Sequence, residues 1–112
     1  MVMYRGMPKL TADEKAHLEL ILAQPCVACA LPQTLRTEAH HIVESGRRLG
    51  PYFLLPLCEG HHRTYTVNVT TNRRAFEREY GEQRILWELL MSTLRVTHVR
   101  WPDSKIVPLR VI

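Results

Sequence analysis

The sequence predicts a small α+β domain whose core is stapled by a bound ion, and three observations carry that prediction. Helical periodicity with start and stop signals marks residues 11–24 and 72–95. Between them, short apolar stretches at 37–42 and 52–57 read as extended segments bounded by glycine-containing loops. Two closely spaced pairs, Cys26-x-x-Cys29 and Cys58-x-x-His61, have the spacing with which a chain grips one metal ion.

Taken in order, residues 1–10 show no pattern and read as a flexible entry. Thr11 followed by Glu14 is a capping-box signature, Leu18, Ile21 and Leu22 recur at helical spacing, and Pro25 ends the run. The helix delivers the chain to Cys26, the start of a metal core over 25–66. There, 37–42 is a first extended segment, 44–51 a loop carrying Arg47 and Arg48, and 52–57 a second segment. Pro56 assigns that second segment to an edge or a strand end. Residues 58–65 read as the first turns of a helix. Asn72 reads as a cap for the next helix, with Ala75, Phe76 and Tyr80 on one face and Gly81 as its stop. Leu86, Leu89, Leu90 and Leu94 give the last helix an apolar stripe. Two β-branched stretches around Trp101-Pro-Asp-Ser104 then predict a C-terminal hairpin over 96–112. No repeat, linker or composition shift divides the chain, so 1–112 reads as one domain.

Composition narrows the function classes. Lys and Arg number 15 against 11 Asp and Glu, for a net charge of +4 and a lean toward anionic partners. The longest apolar runs, such as 53–57, fall far short of a membrane span, and Met1-Val-Met-Tyr-Arg5 lacks a signal-peptide pattern. A cytoplasmic protein with no membrane role is expected. Three cysteines cannot all pair, which argues against a disulfide scaffold.

A tetrahedral zinc ion wants about four thiolate or imidazole ligands, usually supplied as two pairs. Cys26, Cys29, Cys58 and His61 meet that need, although His62, one residue on, could replace His61. The bland alternative is three buried cysteines acting as small hydrophobes; the coincidence of two paired spacings argues against it. His40, His41 and His62 are then left over. Consecutive residues on a strand point to opposite faces, so His40 and His41 can serve different tasks. A second ion held by His40 and His62 would keep open positions for water and phosphate oxygens, the form of a catalytic site. His41, with an imidazole suited to taking a proton near neutral pH, is the candidate general base. Arg47, Arg48 and Arg63 would lie near a phosphate, where a guanidinium can bind two oxygens at once. Arg73, Arg74 and Arg78 share their helix with Glu77 and Glu79 and read as a solvated mixed-charge face, while Trp87 and Trp101 read as core packing.

Together, Cys26-Val-Ala-Cys29, Ala39-His40-His41-Ile42 and Leu57-Cys58-Glu-Gly-His61-His62-Arg63 resemble the zinc-stapled HNH endonucleases, whose fold is the ββα-metal motif. Within that superfamily, His41-Ile-Val-Glu-Ser-Gly-Arg-Arg-Leu-Gly50, then Leu55-Pro-Leu-Cys58 and Phe76-Glu-Arg-Glu-Tyr-Gly81, look most like the phage recombination enhancement function nucleases, which are RecA-dependent DNA endonucleases. The resemblance covers about residues 20–90. It implies catalytic-metal ligands at His40 and His62, a general base at His41, and structural zinc ligands at Cys26, Cys29, Cys58 and His61. It also implies a catalytic Mg2+ or Mn2+, DNA as substrate, a RecA filament as partner, and a phage or prophage gene acting in the cytoplasm of a bacterial host. Two imidazole ligands also suit other transition metals. The middle asparagine of the family pattern falls on Phe53, so the bracing of the loop must come from backbone carbonyls or another side chain. The readings weighed against a nuclease are a catalytically inactive zinc-stapled DNA- or protein-binding module and a purely structural protein.

Overall fold

The computed structural model describes residues 9–29 and 36–102. The order of elements is α1 (Ala12–Leu22), β1 (Thr37–His41), β2 (Val43–Glu44), β3 (Arg47–Arg48), β4 (Leu54–Cys58), a π-helical turn (Gly60–Thr64), α2 (Arg73–Tyr80) and α3 (Gln83–Leu94). This is the expected α+β class, with small antiparallel sheets between helices.

Helix α1 starts where the capping box predicts. The Thr11 hydroxyl accepts from the Glu14 amide at 3.1 Å, and the Glu14 carboxylate accepts from the Thr11 amide at 2.9 Å. Two of the helix's first unsatisfied N–H groups are thereby paired. β1 and β4 pair antiparallel from Thr37↔Cys58 to His41↔Leu54. Every residue of β4 is buried, and Ile42, Phe53, Leu54, Leu55 and Leu57 form the centre of the core with Phe76, Trp87 and Met91. Pro56 stands mid-strand opposite Ala39, inside β4 rather than at its end. It is tolerated there because both strands of a two-stranded sheet are edges.

The expected loop at 44–51 contains a hairpin. β2 and β3 pair Val43↔Arg48 and Glu44↔Arg47 around a two-residue turn, Ser45-Gly46, with φ of 53° and 78°. Positive φ at both turn positions is the geometry whose twist matches antiparallel strands, and glycine adopts it without steric cost.

Helices α2 and α3 occupy the predicted places. Asn72 stands at the cap position of α2, but its side chain donates to the Thr66 carbonyl and makes no capping bond to the helix. The most buried stripe of α3 is rotated from the leucine pattern. Gln83, Trp87 and Met91 are buried, Leu86, Leu90 and Leu94 pack against the core partly buried, and Leu89 is exposed. The aromatic ring decides the rotation. Trp87 stacks on Phe53 with centroids 4.9 Å apart, and its indole N–H donates to the Tyr52 carbonyl at 3.0 Å. Trp101 meets both rings edge-on, so both tryptophans are packing residues as expected. Residues 96–102 carry no strand, and the rest of the predicted C-terminal hairpin lies outside the described residues, as does most of the predicted flexible entry.

Candidate metal centre and histidine cleft

The pattern at 58–65 predicts the start of a helix; the structure gives five residues of π-helix that stop at Thr64. The Tyr65 amide donates to the Gly60 carbonyl at 2.9 Å, an i→i+5 bond. Gly60 is required by a close approach, because a Cβ there would run into the Tyr65 ring. After the turn, buried Asn68 knots the chain: its side-chain carbonyl accepts from the Thr70 and Thr71 amides, and its amide group donates to the Tyr65 carbonyl. The wide turn sends two consecutive histidines to two different sites.

His61 joins Cys26, Cys29 and Cys58, whose ligand atoms all lie within 4.8 Å of one another. His61 Nδ1 is 3.6, 3.4 and 3.3 Å from the sulfurs of Cys26, Cys29 and Cys58, and the Cys29 and Cys58 sulfurs are 3.8 Å apart. Ligand distances typical of zinc place tetrahedral sulfurs about 3.8 Å apart and sulfur and nitrogen about 3.5 Å apart. These four separations lie within a few tenths of an ångström of the zinc values, so the cluster could hold a zinc-type ion. The knuckle is fixed by the Val27 amide donating to the Pro56 carbonyl at 3.0 Å, and the Ala28 and His61 amides donate to the Cys26 and Cys58 sulfurs. Behind the cluster, His61 Nε2 meets the Tyr80 hydroxyl at 3.0 Å, the outer-shell contact that orients a ligating imidazole. Burial, and then the neighbouring Cys26 and Cys58 thiols, push the Cys29 thiol up to about 12. Thiols this crowded ionise together only around a cation. Burial also lowers the pKa of His61, favouring the neutral ring a metal needs.

His62 faces the other way, into a cleft of about 480 Å³ that His40, His41, Arg48, Arg73 and Gln83 help to line. The rings of His40 and His62 lie 5.3 Å apart, inclined at 69°. The Glu38 carboxylate accepts from His62 Nδ1 at 2.6 Å and also binds the Arg63 guanidinium through Nε and Nη2 at 3.1 and 2.9 Å. The Arg63 pairing, with His62 adding to it, holds the Glu38 carboxyl down at about 2. Gln83 orients the other ring. Its amide nitrogen donates to Glu77 at 2.9 Å, so its oxygen accepts from His40 Nε2 at 2.8 Å. These bonds engage Nε2 of His40 and Nδ1 of His62, so the ring nitrogens they leave over are Nδ1 of His40 and Nε2 of His62. Burial lowers His40 to about 4, against the opposing Gln83 bond. Burial, then the charges of Arg48 and His62, lower His41.

Of the two histidines that the spacing leaves open as the fourth member of the thiol cluster, His61 lies in it and His62 lies outside it. The strand alternation predicted for His40 and His41 is relaxed, since both rings border the same cleft and His41 is the last residue of β1. Arg48 lines the cleft, and Arg47 stands exposed beside it on β3. Arg63 is half-exposed with its fork engaged by Glu38. Glu38, Gln83, Tyr80 and Arg73 join these sites without a sequence signal that marks them as site residues. Arg73 is more than part of a solvated face: its side chain is 39% exposed, but its Nε donates to Glu77, Nη1 to the Val43 carbonyl and Nη2 to Glu44, each at 2.8 Å. Among the described residues, no helix is long and apolar enough to cross a membrane.

The fold and its two sites define a small α+β protein with a cluster of three cysteines and one histidine able to hold a metal such as zinc, beside a cleft built around histidines. A family model described as recombination enhancement, RecA-dependent nuclease matches residues 10–95, and the chain belongs to that family. The family's name carries a nuclease role in recombination. The chain is also 32% identical over 75 residues to the uncharacterized protein YdfU of Escherichia coli (strain K12), a match that covers 62% of this chain and 20% of that protein. The matched segment therefore spans about a fifth of that relative's length. No solved structure matches.

Proposed function

We propose that the chain is an HNH-type, metal-dependent DNA endonuclease, with β1, β4 and the π-helical turn as its ββα-metal core. The observation that carries this reading is the pair of adjacent imidazoles, edge to face with centroids 5.3 Å apart, each held by a hydrogen bond on one ring nitrogen that leaves the other to a ligand. His40 and His62 would hold Mg2+ or Mn2+, or another divalent transition metal, with open positions left for water and phosphate oxygens. Such an ion neutralises charge on the phosphorane and stabilises the leaving oxygen. His41, beside it in the cleft, takes the proton from the attacking water as a new P–O bond forms and the P–O bond to the leaving group breaks. Arg47 and Arg48 on the hairpin contact phosphates of the DNA, which positions the strand without reading its sequence. Arg63 acts on the site through Glu38 and has less freedom for a direct phosphate contact. The Cys26, Cys29, Cys58 and His61 cluster holds a structural zinc. The family's description supports a RecA-dependent nuclease role in recombination; the further reading is action on DNA bound in a RecA filament, in a bacterial cytoplasm and from a phage or prophage gene.

Plasmid nicking tests the reading, in Mg2+ or Mn2+, with and without a RecA filament carrying a homologous oligonucleotide. The wild type should cut, and His41→Ala should lose about a hundredfold or more in rate while keeping its zinc. Equal rates would remove His41 as the base. No cutting by either, with DNA binding intact, would replace the enzyme with a binding module.

A further inference from the structure

Arg73 stands at the start of α2, and each of its three guanidinium nitrogens donates to a different acceptor. Two acceptors, the Val43 carbonyl and the Glu44 carboxylate, belong to the β2–β3 hairpin, and the third, Glu77, lies one turn along α2. Glu77 Oε2 also accepts from Gln83 at the start of α3, and Gln83 accepts from the His40 ring. One line of hydrogen bonds therefore runs from the hairpin through α2 and α3 to a histidine of the cleft. Gln83 is 2% exposed, so the far end of this line is a buried, satisfied network and not a surface ion pair.

The hairpin needs such a support. Its ladder has only two residue pairs, and a two-stranded hairpin is marginal on its own. Its turn places Ser45, which has a Cβ, at φ 53°. It nonetheless begins two residues after His41 and carries Arg47 and Arg48. Phe53, buried against Trp87, cannot hydrogen-bond the loop through its side chain. An arginine serving as a phosphate contact would present its planar fork to the cleft, whereas each nitrogen of Arg73 is already donating.

We infer that Arg73, acting through Glu77 and Gln83, is a positioning residue that fixes the β2–β3 hairpin relative to the histidines of the cleft. The inference rests on the nuclease reading for its effect on turnover and on geometry alone for its effect on the hairpin. A lysine cannot replace it, because one ammonium cannot span acceptors that a planar fork meets together.

The test compares full-length wild type with Arg73→Ala and Arg73→Lys, after checking that zinc content and melting behaviour are retained. The second variant keeps the charge and guards against a folding failure in the first. Amide hydrogen exchange over 43–49 should quicken about tenfold in both while exchange over 54–58 stays unchanged. The kcat for plasmid nicking should fall about 10- to 100-fold, with the half-saturating DNA concentration changed less than about threefold. Unchanged exchange over 43–49 would overturn the brace. A loosened hairpin with unchanged kcat would overturn the positioning role, and weaker DNA binding with unchanged kcat would make Arg73 a phosphate contact. A wild type that cuts no DNA would defeat the nuclease reading, and the exchange result would still decide the brace.

Discussion

Stripping the metal from the Cys26, Cys29, Cys58 and His61 cluster should unfold this domain. The cluster ties together three pieces of chain: the knuckle after α1, the end of β4 and the π-helical turn. Its four ligand atoms already lie within 4.8 Å of one another, so the folded chain brings the ligands together before an ion binds. Structural zinc in a comparable ligand set contributes on the order of 10–16 kcal/mol, against a net stability of about 5–15 kcal/mol for a whole domain. The metal-free chain is therefore expected to be unfolded or nearly so at 25 °C. Protein purified without chelator should carry about one zinc per chain in this cluster. Excess chelator should abolish the cooperative thermal transition followed by circular dichroism, and added Zn2+ should restore it. Because the thiols release protons on binding, the apparent zinc affinity should rise with pH. A metal-free chain that keeps the same spectrum and melting temperature would refute the staple. So would Cys29→Ala with unaltered zinc content.

Trp87→Ala should cost about 3–5 kcal/mol in urea unfolding of the zinc-bound protein, since it empties the stack against Phe53 and orphans the Tyr52 carbonyl. A loss below about 1 kcal/mol would show that Trp101 fills the space. Thr11→Ala should cost about 0.5–2 kcal/mol by removing the α1 cap, measured as a shift in urea midpoint at constant slope. His17 is 5% exposed, and its Nε2 has no hydrogen-bond partner among the described residues. Burial lowers its pKa below 6.5, so the ring is neutral in the fold and the unfolded chain binds the proton more readily. Its contribution is fully present above about pH 6.5 and is lost as pH falls below that value. Wild type should therefore lose stability relative to His17→Leu between pH 7.5 and pH 5, and a pH-independent difference between the two melting curves would contradict this.

What local rules govern is legible in the sequence. The α1 start is set by two side chains three residues apart, and the structure pairs them as the capping box requires. The metal cluster is equally local in its halves, because two residues separate the ligands of each pair; the halves meet where the Val27 amide bonds the Pro56 carbonyl of β4, a contact that local spacing does not reveal. The hairpin inside 44–51 escapes a sequence reading because its ladder is two pairs long, too short to leave an alternating pattern. The stripe of α3 departs from the leucine pattern because leucines set the helical period while a single tryptophan with a ring to stack on, and a carbonyl to reach, sets the rotation. The helix expected at 58–65 is cut short by a ring packed on Gly60 and by the turn that Asn68 knots.

The cleft shows the same division. The sequence by itself determined which residue types were available: His40, His41 and His62 besides the four ligands, arginines in the loop between two extended segments, and the apolar Phe53 where the family pattern has an asparagine. It could not determine which histidine nitrogen is free, or what holds the loop. Those depend on Glu38, Gln83 and Arg73, whose partners lie 24, 43 and 30 residues away. Partners at such separations leave no periodicity or spacing to read. The pairing of β1 with β4 brings Glu38 to His62, and the placing of α2 and α3 beside the sheet brings Gln83 and Arg73 to their partners; together these decided how the histidines of this cleft are oriented.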